Sequence, residues 1–214
     1  MPTEPLLSIV HEDPDFVIVD KLGGMLSIPG KGEEKEDSVA FRVRTLYPDC
    51  IKHPTVHRLD MDTSGLMVVA LKTASQRNLS IQFQEREVVK KYIALLDGHL
   101  KDDHGTIELA FRVDIDNRPY QMYDEVNGKL GITQWKKIGV ENGYTRVAFT
   151  PKTGRTHQLR VHAAHERGLG TPIVGDPFYG KGAHPVQMML HASELSFRHP
   201  SKGKTLYFKS TPPF

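Results

Sequence analysis

Three absences narrow the field first. No apolar run approaches the ~18 residues needed to cross a bilayer; the longest, Leu66 to Leu71, has the length of a buried strand, so a membrane span is excluded. Cys50 is the single cysteine, so neither a disulfide framework nor a thiolate metal cage can be built within one chain. A reducing, cytoplasmic setting is therefore expected. The opening MPTEPLLSIVHEDP mixes prolines and acidic residues and has no apolar stretch of signal-peptide length, so no export address is expected either. Charge of one sign is also missing: Lys and Arg number 28 against 26 Asp and Glu, a formal net charge of +2. That balance does not announce wholesale phosphate neutralisation, and any basic surface must be local.

What is present fits a globular domain. With 38% apolar and 25% charged residues over 214 positions, the chain can bury a core, and no biased tract points to disorder. No fixed-period repeat, linker or domain boundary is visible, so one catalytic-sized domain over residues 1–214 is expected. Phe16 to Val19 and Met25 to Ile28 read as short strands around the Gly23-Gly24 turn, and Glu33 to Asp37 as a solvated loop. Ser38 caps a helix with Val39, Val43 and Leu46 on one face, stopped by Pro48. GLMVVAL is a strand buried on both faces, followed by a Thr73/Gln76 capping box and a helix to about Glu87, with Leu79 and Phe83 inward.

Tyr92 to Leu96, Thr106 to Val113, Gly131 to Lys137 and Tyr144 to Thr150 follow as strands with few helices between them. Thr156 to Arg167 has helical spacing up to Gly168, and Met188 to Phe197 and Thr205 to Lys209 close the series. The pattern predicts an α+β fold on a mixed, largely antiparallel sheet.

Polar groups gather in His57 to Gly65, in Lys90-Lys91-Tyr92, and in Gly154 to Arg160. Singly, each has a plain structural reading: Asp60 caps a turn or pairs with Arg58, Tyr92 is a half-buried sheet residue, Arg155 is a surface charge. Spacing disposes of several sharper ones. Asp62-Thr63-Ser64-Gly65 breaks the aspartic-protease tripeptide, in which glycine directly follows the Thr or Ser, and no second aspartate is placed to share a proton. His157, His162 and His165 lack the i, i+4 step that sets two imidazoles on one helical face, so no metal is expected. Ser64 has no Gly-x-Ser-x-Gly elbow.

The segments HRLDMDTSGLMVVA, KKYIALLDGH, GRTHQLRVH, IVGDPFYG and LHASELSFRHP, in this order, resemble the RluA family of RNA pseudouridine synthases, from about Ile9 to Phe208. HRLD followed by Ser-Gly, and later GRTHQLR, carries the resemblance. The short length, QFQEREVVKKY and DNRP at Asp116 to Pro119 are similar to members without the small N-terminal RNA-binding domain. One departure is Lys21-Leu22 where the family has Lys-Pro; Leu22 lacks proline's fixed φ, so a looser turn with nothing catalytic on it is expected.

The resemblance implies isomerisation of uridine to pseudouridine, which breaks the C1′–N1 bond and joins C5 to C1′. The reaction consumes no electrons or phosphate, so no cofactor or metal is demanded. Asp60 resembles the family nucleophile, acting at C1′ directly or through a glycal-like intermediate. Arg155 resembles the arginine paired with it, whose fork holds a carboxylate ionised and oriented. Tyr92 resembles the tyrosine that stacks on the target base and is a candidate for C5 deprotonation; about one phenol in a thousand is ionised at pH 7, so either its pKa is perturbed or it mainly stacks.

Leu159 is matched to the apolar residue against the uracil, and Arg58 to the residue that enters the space left by the flipped base. His57, Lys90, Lys91, Arg160, His162, His165 and Lys181 are candidates for RNA contact by proximity in sequence. The implied partners are 23S large-subunit rRNA and the anticodon stem-loop of certain tRNAs; a monomer is the default expectation.

Overall fold

The structure, a computed structural model, describes residues 7–181 and 187–214; the expectation for the chain's opening falls partly on 1–6, outside them. In chain order the strands are β1 (Ser8–Glu12), β2 (Phe16–Lys21), β3 (Ser64–Ala70), β4 (Val89–Leu96), β5 (His104–Val113), β6 (Gln121–Tyr123), β7 (Lys129–Glu141), β8 (Tyr144–Pro151), β9 (Leu190–Arg198) and β10 (Thr205–Lys209). The α-helices are α1 (Val39–Leu46), α2 (Thr73–Gln84) and α3 (Gln158–Ala164). The class is α+β, as the strand-rich pattern predicts. The chain's own packing divides it into two compact units, Met1–Val89 with Ala192–Pro213, and Lys90–His191 with Phe214.

In the first unit the strand order is β1-β2-β3-β9, with β10 on β9. β2 and β3 pair antiparallel from Phe16 opposite Ala70 to Lys21 opposite Gly65. All seven residues of β3 are buried, which a continuous apolar run achieves only when both faces are covered. Phe16, Ile18, Leu66, Val68, Leu79, Leu195 and Phe197 form its core; each large side chain removed from water contributes roughly 1.5–3 kcal/mol.

Ser38 caps α1 by accepting from Phe41 N at 3.2 Å, and the residue before Pro48 leaves the helical region, which ends the helix. The Thr73 capping box does not form. Lys72 is the N-cap and its carbonyl takes Gln76 N at 2.9 Å, so Thr73 already sits inside the helix, one position too late to cap it. A left-handed Arg86 at φ 61° stops the chain short of the expected Glu87. Met25 to Ile28 is not a strand: Leu26 makes one isolated bridge to Ser38, while Ser27 turns its hydroxyl to another loop.

The second unit is antiparallel throughout, in the order β4-β8-β7-β5-β6, with β4 and β8, and β5 and β7, paired out of chain order. Its core joins Ala94, Leu96, Ile107, Leu109, Phe111, Trp135, Val147 and Phe149 to Leu159 and Val161 of α3. β7 runs past the expected Lys137 because a register shift between Lys137 and Gly139 carries it on to the Asn142-Gly143 turn, where both φ values are positive. Such a two-residue turn matches the twist of the strands it joins. α3 is shorter than the expected Thr156 to Arg167, since His157 enters at φ 55° and His165 leaves in an extended conformation.

Candidate active site

The first unit builds a held loop around Asp60. HRLDMDTSG leads straight into β3, and Thr63 N donates to Asp60 O at 3.1 Å to close a turn over the half-buried aspartate. Both neighbours of Asp60 are fastened. Ser27 Oγ donates to Leu59 O at 2.7 Å and accepts from Leu59 N at 3.0 Å. On the other side, Met61 O accepts from Gly24 N at 2.9 Å and from Lys21 Nζ at 2.8 Å.

At the far end of the loop, Gly65 has φ +110°, and a Cβ there would lie 2.4 Å from Ala192 O, so only glycine fits the approach to β9. Arg58 is exposed. His57 accepts Val68 N at 3.1 Å on Nε2 and stacks on Phe83 with centroids 4.5 Å apart. It thus anchors the start of the loop to β3 and α2, although it was expected to touch substrate.

The Gly23-Gly24 turn was expected to carry nothing catalytic; just before it, Lys21 closes β2. This lysine is fully buried. Burial pushes its ammonium down to about 8, against the charges of Asp62 and Asp60, which hold it up. The signal in the sequence was a lysine closing the apolar run of β2, one residue before a double glycine. It reads as a strand end unless burial is known.

The second unit holds Tyr92 and the arginine motif. Tyr92 lies on β4 opposite Phe149 and packs against the same core as Leu159. Lys91 is exposed; Lys90 Nζ lies 4.0 Å from where a Cβ of Gly154 would be, and burial lowers its pKa. Arg155 is exposed, its Nε donating to Leu130 O at 3.3 Å.

Gln158 explains the shape of this segment. Its Oε1 accepts from Thr153 Oγ1 at 2.7 Å and Arg155 N at 3.0 Å, while Nε2 donates to Ile132 O at 3.1 Å and Thr133 Oγ1 at 2.9 Å. Every polar site of the buried amide is used, and the loop before α3 is locked onto β7.

Two expected RNA contacts are corrected by their placement. Arg160 is 1% exposed and forks onto Asp176, with Nε to Oδ2 at 2.8 Å and one terminal nitrogen to Oδ1 at 2.7 Å. Its guanidinium lies over the rings of Phe178 and Tyr179 at 4.9 and 5.3 Å. His162 is completely buried, edge-on to Phe111, with no hydrogen-bond partner on either nitrogen. Both point inward because every residue of α3 except Ala164 is buried. His165 accepts from Arg167 N at 3.1 Å, and Lys181 donates to Asp97 O at 3.0 Å.

His162 yields a prediction. Burial lowers its pKa to about 4 from an ordinary 6.5. Between those values the unfolded chain binds the extra proton, so stability is full above pH 6.5, falls as the pH is lowered, and levels off below about 4. The fall is at most about 3 kcal/mol. Urea unfolding across this range should show it, and His162→Phe should flatten that part of the slope. An unchanged slope in the variant removes the assignment.

One Asp13, Asp15 and His199 group among the described residues has the spacing of metal ligands. Its carboxylates are already taken: Lys202 Nζ lies 3.1 Å from Asp13, Lys72 Nζ lies 3.1 Å from Asp15, and His199 and Ser201 complete the network. It ties the N-terminal strands to the β9–β10 turn.

Comparison with known proteins places the chain in a family and a fold. Residues 15–165 match the model of the RNA pseudouridylate synthase family, a span that begins just before β2 and ends after α3. The dual-specificity RNA pseudouridine synthase RluA of Pasteurella multocida is 43% identical over 218 residues, covering 100% of this chain and 96% of that one. The enzyme of the same name from Escherichia coli K12 is 41% identical over 217 residues, with the same coverage. Among solved structures, human RNA pseudouridylate synthase domain containing 1 superposes with a TM-score of 0.80 at 31% identity, over 100% of this chain and 86% of that one. A second human protein, domain containing 4, shares the fold at a TM-score of 0.74 and 22% identity. The HRLD loop, the tyrosine strand and the arginine motif thus lie in a chain that belongs to the RNA pseudouridine synthase family.

Proposed function

We propose that this isomerase converts uridines to pseudouridine in two RNA classes, 23S rRNA and the anticodon stem-loop of certain tRNAs. The observation that supports dual use most directly is full-length identity of 41–43% to relatives named for dual specificity. Hairpin loops suit the chemistry, because C1′ and C5 are hidden in a stack and an unpaired base is the least costly to extract, at a few kcal/mol. The protein works as a monomer in the cytoplasm.

In this reading Asp60 is the nucleophile, and its loop is fixed by backbone bonds on both flanking residues so that the carboxylate needs no rearrangement on binding. Arg155 holds the charge of that carboxylate. Tyr92 stacks on the uracil and Leu159 packs against it, two roles that fit a tyrosine and a leucine sharing one apolar cluster. Stacking returns about 1–3 kcal/mol per base, comparable with the flipping cost. Arg58, exposed beside Asp60, fills the gap left in the RNA.

Incubating transcripts of both classes with the enzyme, labelling pseudouridine with carbodiimide and mapping reverse-transcription stops tests the function. Stops in both classes are expected; stops in one restrict the substrate, and retention of RNA with no stops in either would mark an RNA-binding factor on this scaffold. Phosphate contact from Lys91 and from the loop near Lys181 should make binding weaken with salt, log Kd rising linearly with log salt. Replacing Lys91 with alanine should reduce that slope, whereas a slope that does not change removes Lys91 from the interface.

A further inference from the structure

We infer that Arg86, held left-handed at the end of α2, is a phosphate contact for the RNA strand beside the flipped uridine. The inference rests on the reading of His57 to Asp60 as the segment that strand approaches.

The turn that closes α2 has the hydrogen bonds of a Schellman motif. Beyond the cap residue Glu85, Arg86 N donates to Phe83 O at 3.3 Å and Glu87 N to Gln82 O at 2.9 Å. This motif sets its left-handed residue, here Arg86 at φ 61°, where glycine is the usual choice, because a Cβ crowds the following carbonyl. An arginine in this place strains the turn, and no contact in the described fold offsets that. Its side chain is exposed, and no described residue bonds, pairs or stacks with it.

The support beneath it is rigid. Gln82 exchanges two bonds with the backbone of Arg198, its Oε1 accepting from N at 2.8 Å and its Nε2 donating to O at 2.8 Å. Glu87 is engaged by the Arg198 guanidinium, and Glu85 is exposed and makes no pair with Arg86. Phe83, whose carbonyl receives Arg86 N, stacks on His57 with centroids 4.5 Å apart, and His57 directly precedes Arg58. Two exposed arginines without a described partner, Arg58 and Arg86, therefore flank one stacked pair of rings at the start of the aspartate loop.

A strand whose uridine is turned out at Asp60 carries its phosphates past this helix end. A guanidinium matches phosphate oxygens with a planar fork of donors, and a fixed turn presents it with little left to order on binding. A cation is also favourable near the carbonyl end of a helix, so stability and binding have to be measured separately.

Arg86→Gly gives the turn the residue it favours. Its urea midpoint should equal or exceed the parent's, while Kd for a uridine-containing hairpin transcript should rise about threefold or more. The slope of log Kd against log salt should drop by about 0.7–0.9, the share of one phosphate. KM should rise with kcat within about twofold, because the contact lies away from the reacting atoms. Arg86→Lys keeps the charge and should keep the slope. Arg77→Ala removes another exposed arginine of α2, farther from the Phe83 end, and should leave the slope unmoved.

A slope in Arg86→Gly equal to the parent's overturns the inference, as does an equal loss in Arg77→Ala, which would make the effect one of net charge. A lower urea midpoint in Arg86→Gly overturns it too, since the arginine would then serve the end of α2. Turnover by Asp60→Asn would instead sink the reading of the loop while the salt slopes still report on Arg86, so the two failures are distinguishable.

Discussion

Asp60→Asn abolishes pseudouridine formation, by a factor on the order of 10³ or more, while RNA retention changes by less than about twofold. The retention half of this expectation comes from the way the loop is held. Its bonds to Ser27, Gly24 and Lys21 use backbone atoms of Leu59 and Met61, and the turn bond uses the carbonyl of Asp60. An amide in place of the carboxylate keeps shape and volume and leaves each of these in place. The activity half comes from chemistry: an uncharged amide neither attacks C1′ nor stabilises the positive charge that develops there as the glycosidic bond breaks. Carbodiimide mapping on the same RNA, with filter retention measured alongside, reads both quantities. Turnover within tenfold of the parent would remove Asp60 from the role.

Asp176→Asn destabilises the protein by about 3–5 kcal/mol, the range for leaving one buried charge without its partner. Arg160 and Asp176 are both essentially without solvent contact, and the fork between them uses two separate hydrogen bonds. Asp176 also accepts from the backbone of Phe178 at 2.9 Å and of Tyr179 at 3.1 Å, shaping the turn whose rings cover the guanidinium. Tyr179 in turn holds His157 Nδ1 at 2.9 Å and Gln121 N at 2.9 Å. An amide nitrogen facing the fork breaks this arrangement at its centre. Equilibrium unfolding in urea measures the loss, and a change below about 1 kcal/mol would contradict the account. The salt dependence of RNA binding should stay as it is in the folded fraction, because Arg160 faces no phosphate.

The parts of the fold legible in the sequence were those in which one residue's chemistry acts locally. The unbroken apolar run before Leu71 specifies a strand covered on both faces, and Ser38 before an amphipathic run specifies a capped helix. The Asn142-Gly143 turn went unread, and it sets the length of β7 beyond the expected end. Where several local options compete, tertiary structure chose. Thr73 was a sound capping residue, but the helix begins one position earlier; Met25 to Ile28 had strand-like side chains, but their carbonyls accept from Lys21, Val39 and Ala40.

The candidate site divides in the same way. HRLD and GRTHQLR were conspicuous as motifs, yet the inward direction of Arg160 and His162 depends on which face of α3 meets β7 and the 176–179 turn, which sequence distance does not encode. Lys21 was invisible because a lysine at a strand end is ordinarily wet. No linker marks the two compact units either, since the chain leaves one for the other within β4 and again within β9.

The fully covered β3 has a consequence for how the enzyme wears out. The loop bearing Asp60 is continuous with this strand, and its amides from Leu66 onward belong to the part of a protein that exchanges with deuterium only on global opening. Heating should therefore not loosen Asp60 ahead of the rest. Inactivation and melting coincide, and the enzyme keeps its full rate until the temperature at which the surrounding sheet gives way.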